Sequence, residues 1–401
     1  MAIRGSSAEL SDQMRLLLIN YEYPPIGAGA ATATQAIANN LTALGHEVTI
    51  LTGSFHDLPR ESDEAGVTVR RIPCLRQRAD RSSVPEMFSF MLSALLVFPF
   101  VRAKYRPEAL IAFFSLPSGP VGAVAHFFYR LPYVVSLRGG DVPGLTPEVS
   151  WIHKLFTPVR RYILKQSVAV IANSEGLRRL SEAADPVRVR VIPNGVDTEF
   201  FHPAPADPEM RRPDKPFRLL FVGRFQGQKN LPFLLRECAR LVPGSFELHL
   251  VGDGPLHSQL QELATELGIA SAIVWHGWLP RHELRNAYRS VHCFINPSLY
   301  EGMPNVVLEV MACALPVLAS NIPGNDALVL PGETGYLFDL HQTDALLHAI
   351  EKLMADPTLC ARLGANGRAR VVSEFSWRNV AQGYLDLLER KPAPQLPAQL
   401  P

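Results

Sequence analysis

Two glutamates, Glu301 and Glu309, stand with seven residues between them in the stretch YEGMPNVVLEV, separated by a Gly-Met-Pro turn. Pro304 suits the first position of a helix, because its missing N–H is an orphan there in any case. Met303, just before it, has no side-chain oxygen with which to cap the free N–H groups of a first turn. A helix start without a cap is a ready anion site, its N–H groups and positive dipole end turned outward. Glu301 precedes that start in the loop. Glu309 falls about a turn and a half into the helix, its side chain leaning back toward the N-terminus. One acid on each side of a phosphate pocket suits a ligand carrying hydroxyls at both ends. From spacing alone, two solvated acids on a surface helix are an equally good reading.

Three other loops carry chemistry. In GRFQGQKN, Arg224 and Lys229 lie five residues apart across a turn between strand and helix, where both can reach one diphosphate and neutralise its developing charge. In SLRGGDVPG, Arg138 and Asp141 flank two glycines; the alternatives are ligand contact or an internal ion pair that pins the loop. In PPIGAGAA, Gly27 and Gly29 let backbone approach a ligand. That G-x-G also invites a dinucleotide reading. Thr32 stands where a third glycine belongs, however, and the next strand, EVTILTGS, lacks the carboxylate that holds a ribose, so NAD is disfavoured. Asn194-Gly195 and Gly252-Asp253-Gly254 read equally well as turns. His46, His126 and His276 have no partner pattern for a metal or a triad.

These loops need strands to hold them. Apolar runs at Arg15–Asn20, Glu47–Thr52, Val67–Ile72, Ala109–Phe114, Tyr133–Leu137, Ala169–Ala172 and Val189–Ile192 alternate with helical patterns, the mark of a parallel α/β architecture. Residues 197–216 break the rhythm with five prolines and read as a linker. Strand patterns resume at Arg218–Gly223, Glu247–Val251, Ile273–Trp275, Cys293–Asn296, Pro316–Ala319 and Tyr336–Phe338. The expected division is a flexible N-terminus (1–13), a Rossmann-like N-terminal domain (14–196), the linker, a second Rossmann-like domain (217–375), a terminal helix (376–390) that crosses back to the first, and a disordered tail (391–401). Two doubly wound domains place a ligand cleft between the carboxyl edges of their sheets.

A net charge of +1 without a basic run excludes a nucleic-acid binder by charge. Five cysteines without C-x-x-C spacing argue against a disulfide framework or a zinc site and for a reducing, cytoplasmic compartment. The opening dozen residues lack the apolar core of a secretory signal. Met87–Val101 is uncharged and almost wholly apolar. At 15 residues it is shorter than the roughly 20 of a membrane span, and Pro99 interrupts it. A buried helix is the first reading. The alternative is peripheral contact with the inner face of a membrane, with Phe98 and Phe100 inserting and Arg102, Lys104 and Arg106 following.

The ordered set SLRGGD, NSEGL, IPNGVD, VGRF…KN, VGDGP and EGMPNVVLE before PVLAS resembles the retaining glycosyltransferases of family 4, which have the GT-B fold of two Rossmann-like domains facing across a cleft. The resemblance spans about residues 14–390, and E-x7-E is its most specific part. It implies a nucleotide-diphosphate-sugar donor, with Glu301 on the transferred sugar and Glu309 on the ribose. It implies Arg224 and Lys229 on the diphosphate, and backbone N–H groups of Gly302, Met303 and Asn305 facing the phosphates or sugar. It further implies an acceptor in the N-terminal domain, with Gly27 and Gly29 near the reaction centre. The acceptor is a saccharide or a lipid-linked one, in polysaccharide or glycolipid biosynthesis. No metal or other cofactor is implied. Where many members carry histidine before the glycines of the third loop, this chain has Arg138, which cannot act as a general base at neutral pH. Two rivals share the fold: a sugar-nucleotide epimerase or hydrolase, and a non-catalytic nucleotide-sugar-binding subunit.

Overall fold

A computed structural model describes residues 13–27, 29–79, 82–144, 154–205 and 215–389. The expectations placed on residues 1–12, on 206–214 of the linker and on 390–401 lie outside them.

Strands β1 (Arg15–Ile19), β2 (Glu47–Gly53), β3 (Glu61–Glu64), β4 (Val67–Ile72), β5 (Ala109–Phe113), β6 (Tyr133–Ser136), β7 (Ala169–Ala172) and β8 (Val189–Val191) form one sheet in the order β3-β4-β2-β1-β5-β6-β7-β8. Every pair is parallel except β3–β4. Runs such as RLLLI and ALIAF are apolar throughout because helices cover both faces of a parallel sheet. Leu18 aligns with Ile50 on one side and Ile111 on the other, at the centre of the first core.

A second, wholly parallel sheet contains β9 (Phe217–Val222), β10 (Phe246–Val251), β11 (Ile273–Gly277), β12 (Cys293–Asn296), β13 (Val317–Ser320) and β14 (Gly335–Phe338), in the order β11-β10-β9-β12-β13-β14. The strand order reverses between β1 and β5 in the first sheet and between β9 and β12 in the second. Ligands of such sheets bind in the crevice at that switch point. The glycine loop follows β1, the Arg224–Lys229 loop follows β9, and the Glu301 loop follows β12.

Three local features differ from the sequence reading. Strand β3 is an added antiparallel edge, turned into β4 through Ala65 and Gly66, both at positive φ as a two-residue hairpin requires. Its acidic ESDE sequence reads as loop but suits an edge that must not pair further. The apolar segment is a helix of 22 residues, Val84–Tyr105, and so is long and apolar enough to cross a membrane by length and composition. Pro99 lies within it, on the exposed side, without ending it. Nor is the helix simply buried: Phe90, Ala94, Phe98 and Val101 pack on the sheet while the opposite stripe faces outward.

The helix Trp377–Glu389 follows the second domain in sequence but lies on the first. Val380, Ala381, Tyr384, Leu385 and Leu388 belong to the same core as Leu18 and Val135. Beside its start, Val196 bridges Ser376 and donates to Phe375 O (2.8 Å), so the two chain crossings run side by side.

Candidate active site

The loop after β12 is held rigidly. Ser320 Oγ donates to Ser298 O (2.6 Å), Asn325 Nδ2 to Ser320 O (3.0 Å), and Asn296 Nδ2 to Asn325 Oδ1 (2.9 Å). Ser298 Oγ donates to Glu301 Oε1 (2.8 Å). The loop after β9 is zipped onto it: Leu299 N donates to Gln228 O (2.8 Å), and Gln228 Nε2 to Tyr300 O (2.8 Å). The result is an ion pair between Lys229 Nζ and Glu301 Oε1, two side chains 72 residues apart in sequence. Glu301 is only 8% exposed, so the solvated reading fails for it. Arg224 sits half-buried at the start of the same loop, its carbonyl accepting from Gln226 N (2.9 Å).

The helix spans Asn305–Ala312, and Pro304 is its N-cap rather than its first residue (φ −77°, ψ 110°). Pro304 offers no side-chain cap, as expected of an anion-receptive start. Glu309 is partly exposed as a residue, but its carboxyl is desolvated where Tyr288 OH donates to Oε2 (2.7 Å). Burial pushes its pKa up to about 7, against smaller lowering by the Tyr288 hydrogen bond and the Arg281 charge. It too is no ordinary solvated acid.

The N-terminal domain closes over this helix start. Asn194 Nδ2 donates to Asn305 Oδ1 (2.7 Å), Asn305 Nδ2 to Gly29 O (3.3 Å), and Asn194 N approaches Met303 Sδ at 3.1 Å. Gly302 lies under the Arg138 loop, where an added Cβ would come 3.3 Å from Arg138 O. Gly27 has φ +94°, and a Cβ there would strike the side chain of Glu22 at 2.7 Å, so the loop requires glycine. Gly29, Gly302, Met303 and Asn305 therefore meet at one interdomain contact next to Glu301, with Gly27 two residues before Gly29 in sequence.

Arg138 and Asp141 do not form the ion pair that sequence offers. Asp141 is buried and accepts from Ser115 N (2.6 Å), Arg138 N (3.0 Å) and Gly139 N (3.2 Å), pinning the loop through its backbone. Burial raises its pKa, and these N–H donors oppose the rise. The Arg138 guanidinium donates to Asn194 Oδ1 (2.7 Å) and Tyr384 OH (3.2 Å) over the Phe113 ring, and its buried Nε has no partner. Asn194 thus links Arg138 to Asn305. Sequence reasoning missed this, because Asn-Gly signals a turn and residues 194–195 form none. His276 Nε2 lies 3.0 Å from His249 Nδ1, a two-histidine contact that makes neither a triad nor a metal cluster among the described residues.

Comparison with known proteins shows the family and the fold. The family model described as "Glycosyl transferase 4-like domain" matches residues 28–195, and that described as "Glycosyl transferases group 1" matches residues 206–370. Alpha-maltose-1-phosphate synthase of Mycolicibacterium smegmatis is 31% identical over 304 residues, covering 68% of this chain and 76% of that protein. Among solved structures, sucrose-phosphate synthase from Thermosynechococcus elongatus superposes with a TM-score of 0.80 at 24% identity, covering 94% of this chain and 98% of the other. Anabaena HepE, solved in complex with UDP-glucose, superposes with a TM-score of 0.73 at 21% identity, covering 94% and 99%.

Proposed function

The chain is a glycosyltransferase of family 4 with the GT-B fold, and from that premise we propose that it moves a hexosyl unit from a nucleotide-diphosphate-sugar to an acceptor hydroxyl with retention at the anomeric carbon. The observation that carries this reading is the Lys229–Glu301 pair set beside an uncapped helix start and roofed by Gly29 and Asn194 of the other domain. In this reading a diphosphate lies between the helix start and the cations Arg224 and Lys229, which neutralise the leaving group as the glycosidic bond breaks. Glu301, released from Lys229 as the phosphates arrive, accepts from the transferred sugar's hydroxyls. Glu309 faces the ribose.

In the proposed step the acceptor oxygen bonds to the anomeric carbon on the face that the diphosphate leaves. The acceptor's proton passes to the departing phosphate oxygen. Arg138 cannot serve as a general base; in this reading its guanidinium donates to an acceptor or phosphate oxygen. Closure of the two domains over the donor excludes water and suppresses hydrolysis. Transfer without a metal is part of the proposal, with cationic side chains doing the work of a Lewis acid.

We further propose an acceptor of saccharide or lipid-linked type in polysaccharide or glycolipid synthesis. A cytoplasmic site of action accords with five cysteines that are all free. A panel of nucleotide-sugars, scored by thermal stabilisation and then by the anomer formed on a simple acceptor, tests the reading. An inverted product, full donor turnover without acceptor, or loss of transfer in EDTA would each count against a part of it.

A further inference from the structure

The outward stripe of the helix Val84–Tyr105 is Val84, Phe88, Leu92, Leu96 and Phe100, one residue every four, with Phe100 75% exposed. It is not isolated. On the same face of the first sheet lie the helices Gly119–Tyr129, with Phe127 and Phe128 exposed, and Thr157–Gln166, with Val159 and Tyr162 exposed. The three are packed in a row. Arg102 stacks on Tyr129 (4.1 Å), Phe98 lies 6.0 Å from the same ring, and Tyr133 OH, beneath, donates to Ile163 O (2.5 Å). Exposed apolar patches of this extent mark interaction surfaces.

Charge says what kind of surface. The three helices carry one acid between them, Glu86, which is occupied by Ser83 N (2.6 Å) and Gln77 N (2.9 Å). Where the first two helices end, a cavity of about 530 Å³ opens, walled by Arg15, Arg102, Arg106 and Arg130. Its one carboxylate, Glu108, is paired with Arg15 (3.2 Å). Arg106 and Arg130 have no carboxylate partner among the described residues, and Lys165 adds an exposed cation at the same end of the third helix. A band of aromatic and aliphatic side chains ending in unpaired guanidinium groups matches the acyl boundary and phosphates of an anionic bilayer.

We propose that the outer face of these three helices docks on an anionic phospholipid surface, with the apolar stripe entering the acyl boundary and the arginine cavity lying over headgroup phosphates. All three helices follow strands that end at the cleft (β4, β5 and β6), so each begins on the cleft side. A membrane along them therefore brings the cleft mouth to the bilayer surface, where an acceptor anchored in lipid can enter. Docking stands apart from the sugar-transfer reading; only this route for the acceptor rests on it. Phe98 is no part of the docking face, contrary to its sequence expectation: it is 0% exposed in the core, and its substitution would test folding instead.

The test is co-sedimentation of the full chain, without donor, with vesicles of phosphatidylcholine alone or mixed with phosphatidylglycerol. The expected result is binding to the anionic vesicles that weakens in high salt. Binding should fall about fivefold or more for each of Arg106→Glu and Arg130→Glu, and should also fall in Phe100→Ser combined with Phe128→Ser. Thermal stabilisation by donor should be unchanged in every variant, which certifies the fold. Failure of the parent to bind anionic vesicles overturns the proposal, as does binding that survives both sets of substitutions. A parent that is a dimer, made monomeric by the two serines, also overturns it in favour of self-association through this face.

Discussion

Glu309 is a carboxyl whose environment has been set apart from its neighbours. With desolvation holding its pKa at about 7 instead of 4.5, the folded chain keeps a proton between those values that the unfolded chain has released. Stability of the ligand-free protein should therefore fall as pH rises through that window and level off above it, by roughly 3 kcal/mol at most. Glu309→Gln should remove this contribution, visible as denaturant midpoints that no longer drop across the window. Parallel curves for parent and variant would mean that the carboxyl is not desolvated. Lys229 and Glu301 present the opposite situation, two charges that satisfy each other at 15% and 10% side-chain exposure. Lys229→Ala should slow transfer about a hundredfold or more and also cost about 1–3 kcal/mol by stranding the carboxylate. Adding Glu301→Gln should recover the stability but not the rate. Near-normal turnover of Lys229→Ala would remove this pair from the diphosphate site. The residue types were legible in sequence because E-x7-E and the paired cations each sit in one short stretch. Tyr288 was not, because its value lies only in meeting Glu309 from a different helix.

At the scale of elements, the strands were readable for a physical reason: in a parallel sheet covered on both faces, each strand is an uninterrupted apolar run. β3 escaped because an edge strand is under the opposite demand. The helix Val84–Tyr105 was read too short because the uncharged run stops at Glu86 and Arg102, whereas the helix continues through both; proline on an exposed face, as at 99, does not end it. How elements meet was less legible still. The helix Glu175–Ala184, capped by Ser174 Oγ accepting from Leu177 N (3.2 Å), presents Gly176 to the second domain. An added Cβ there would sit 2.2 Å from Pro323 Cβ, a distance no packing tolerates. The segment NSEGL reads as a helix start and reveals nothing of this contact. Gly176→Val should hold the domains apart, lowering kcat at least tenfold while leaving thermal stability nearly unchanged, since the helix itself can accept valine at a cost of a few tenths of a kcal/mol relative to other ordinary residues. Small-angle scattering of the donor-bound variant should show the larger radius of gyration. Unchanged kcat would mean that the contact is not part of the working conformation.

The whole molecule is tied together by a chain that crosses its cleft twice. Because the helix Trp377–Glu389 completes the first core, the first domain depends on residues that come after the second domain in sequence. Tyr384 extends the dependence to the Arg138 loop: its hydroxyl meets Ser136 Oγ (2.7 Å) and Arg138 (3.2 Å), so this helix also orients the Arg138 guanidinium. Leu385→Ala, at a position 2% exposed, should destabilise by about 2–5 kcal/mol, as truncation of a packed leucine does. The location of the damage is the sharper expectation. Amide exchange should quicken in β1 and β6, on the far side of the chain from position 385 in sequence, while β9 and β12 keep their protection. Exchange that quickened instead in β9 and β12 would assign the helix energetically to the second domain. Tyr384→Phe should keep the core and lose only the hydroxyl. It should lower kcat with little change in donor KM if, as proposed, Arg138 serves the acceptor while Lys229, Glu301 and the helix start at Asn305 serve the donor's phosphates and sugar. A variant that instead raised donor KM alone would place Arg138 on the phosphates and assign it to leaving-group stabilisation.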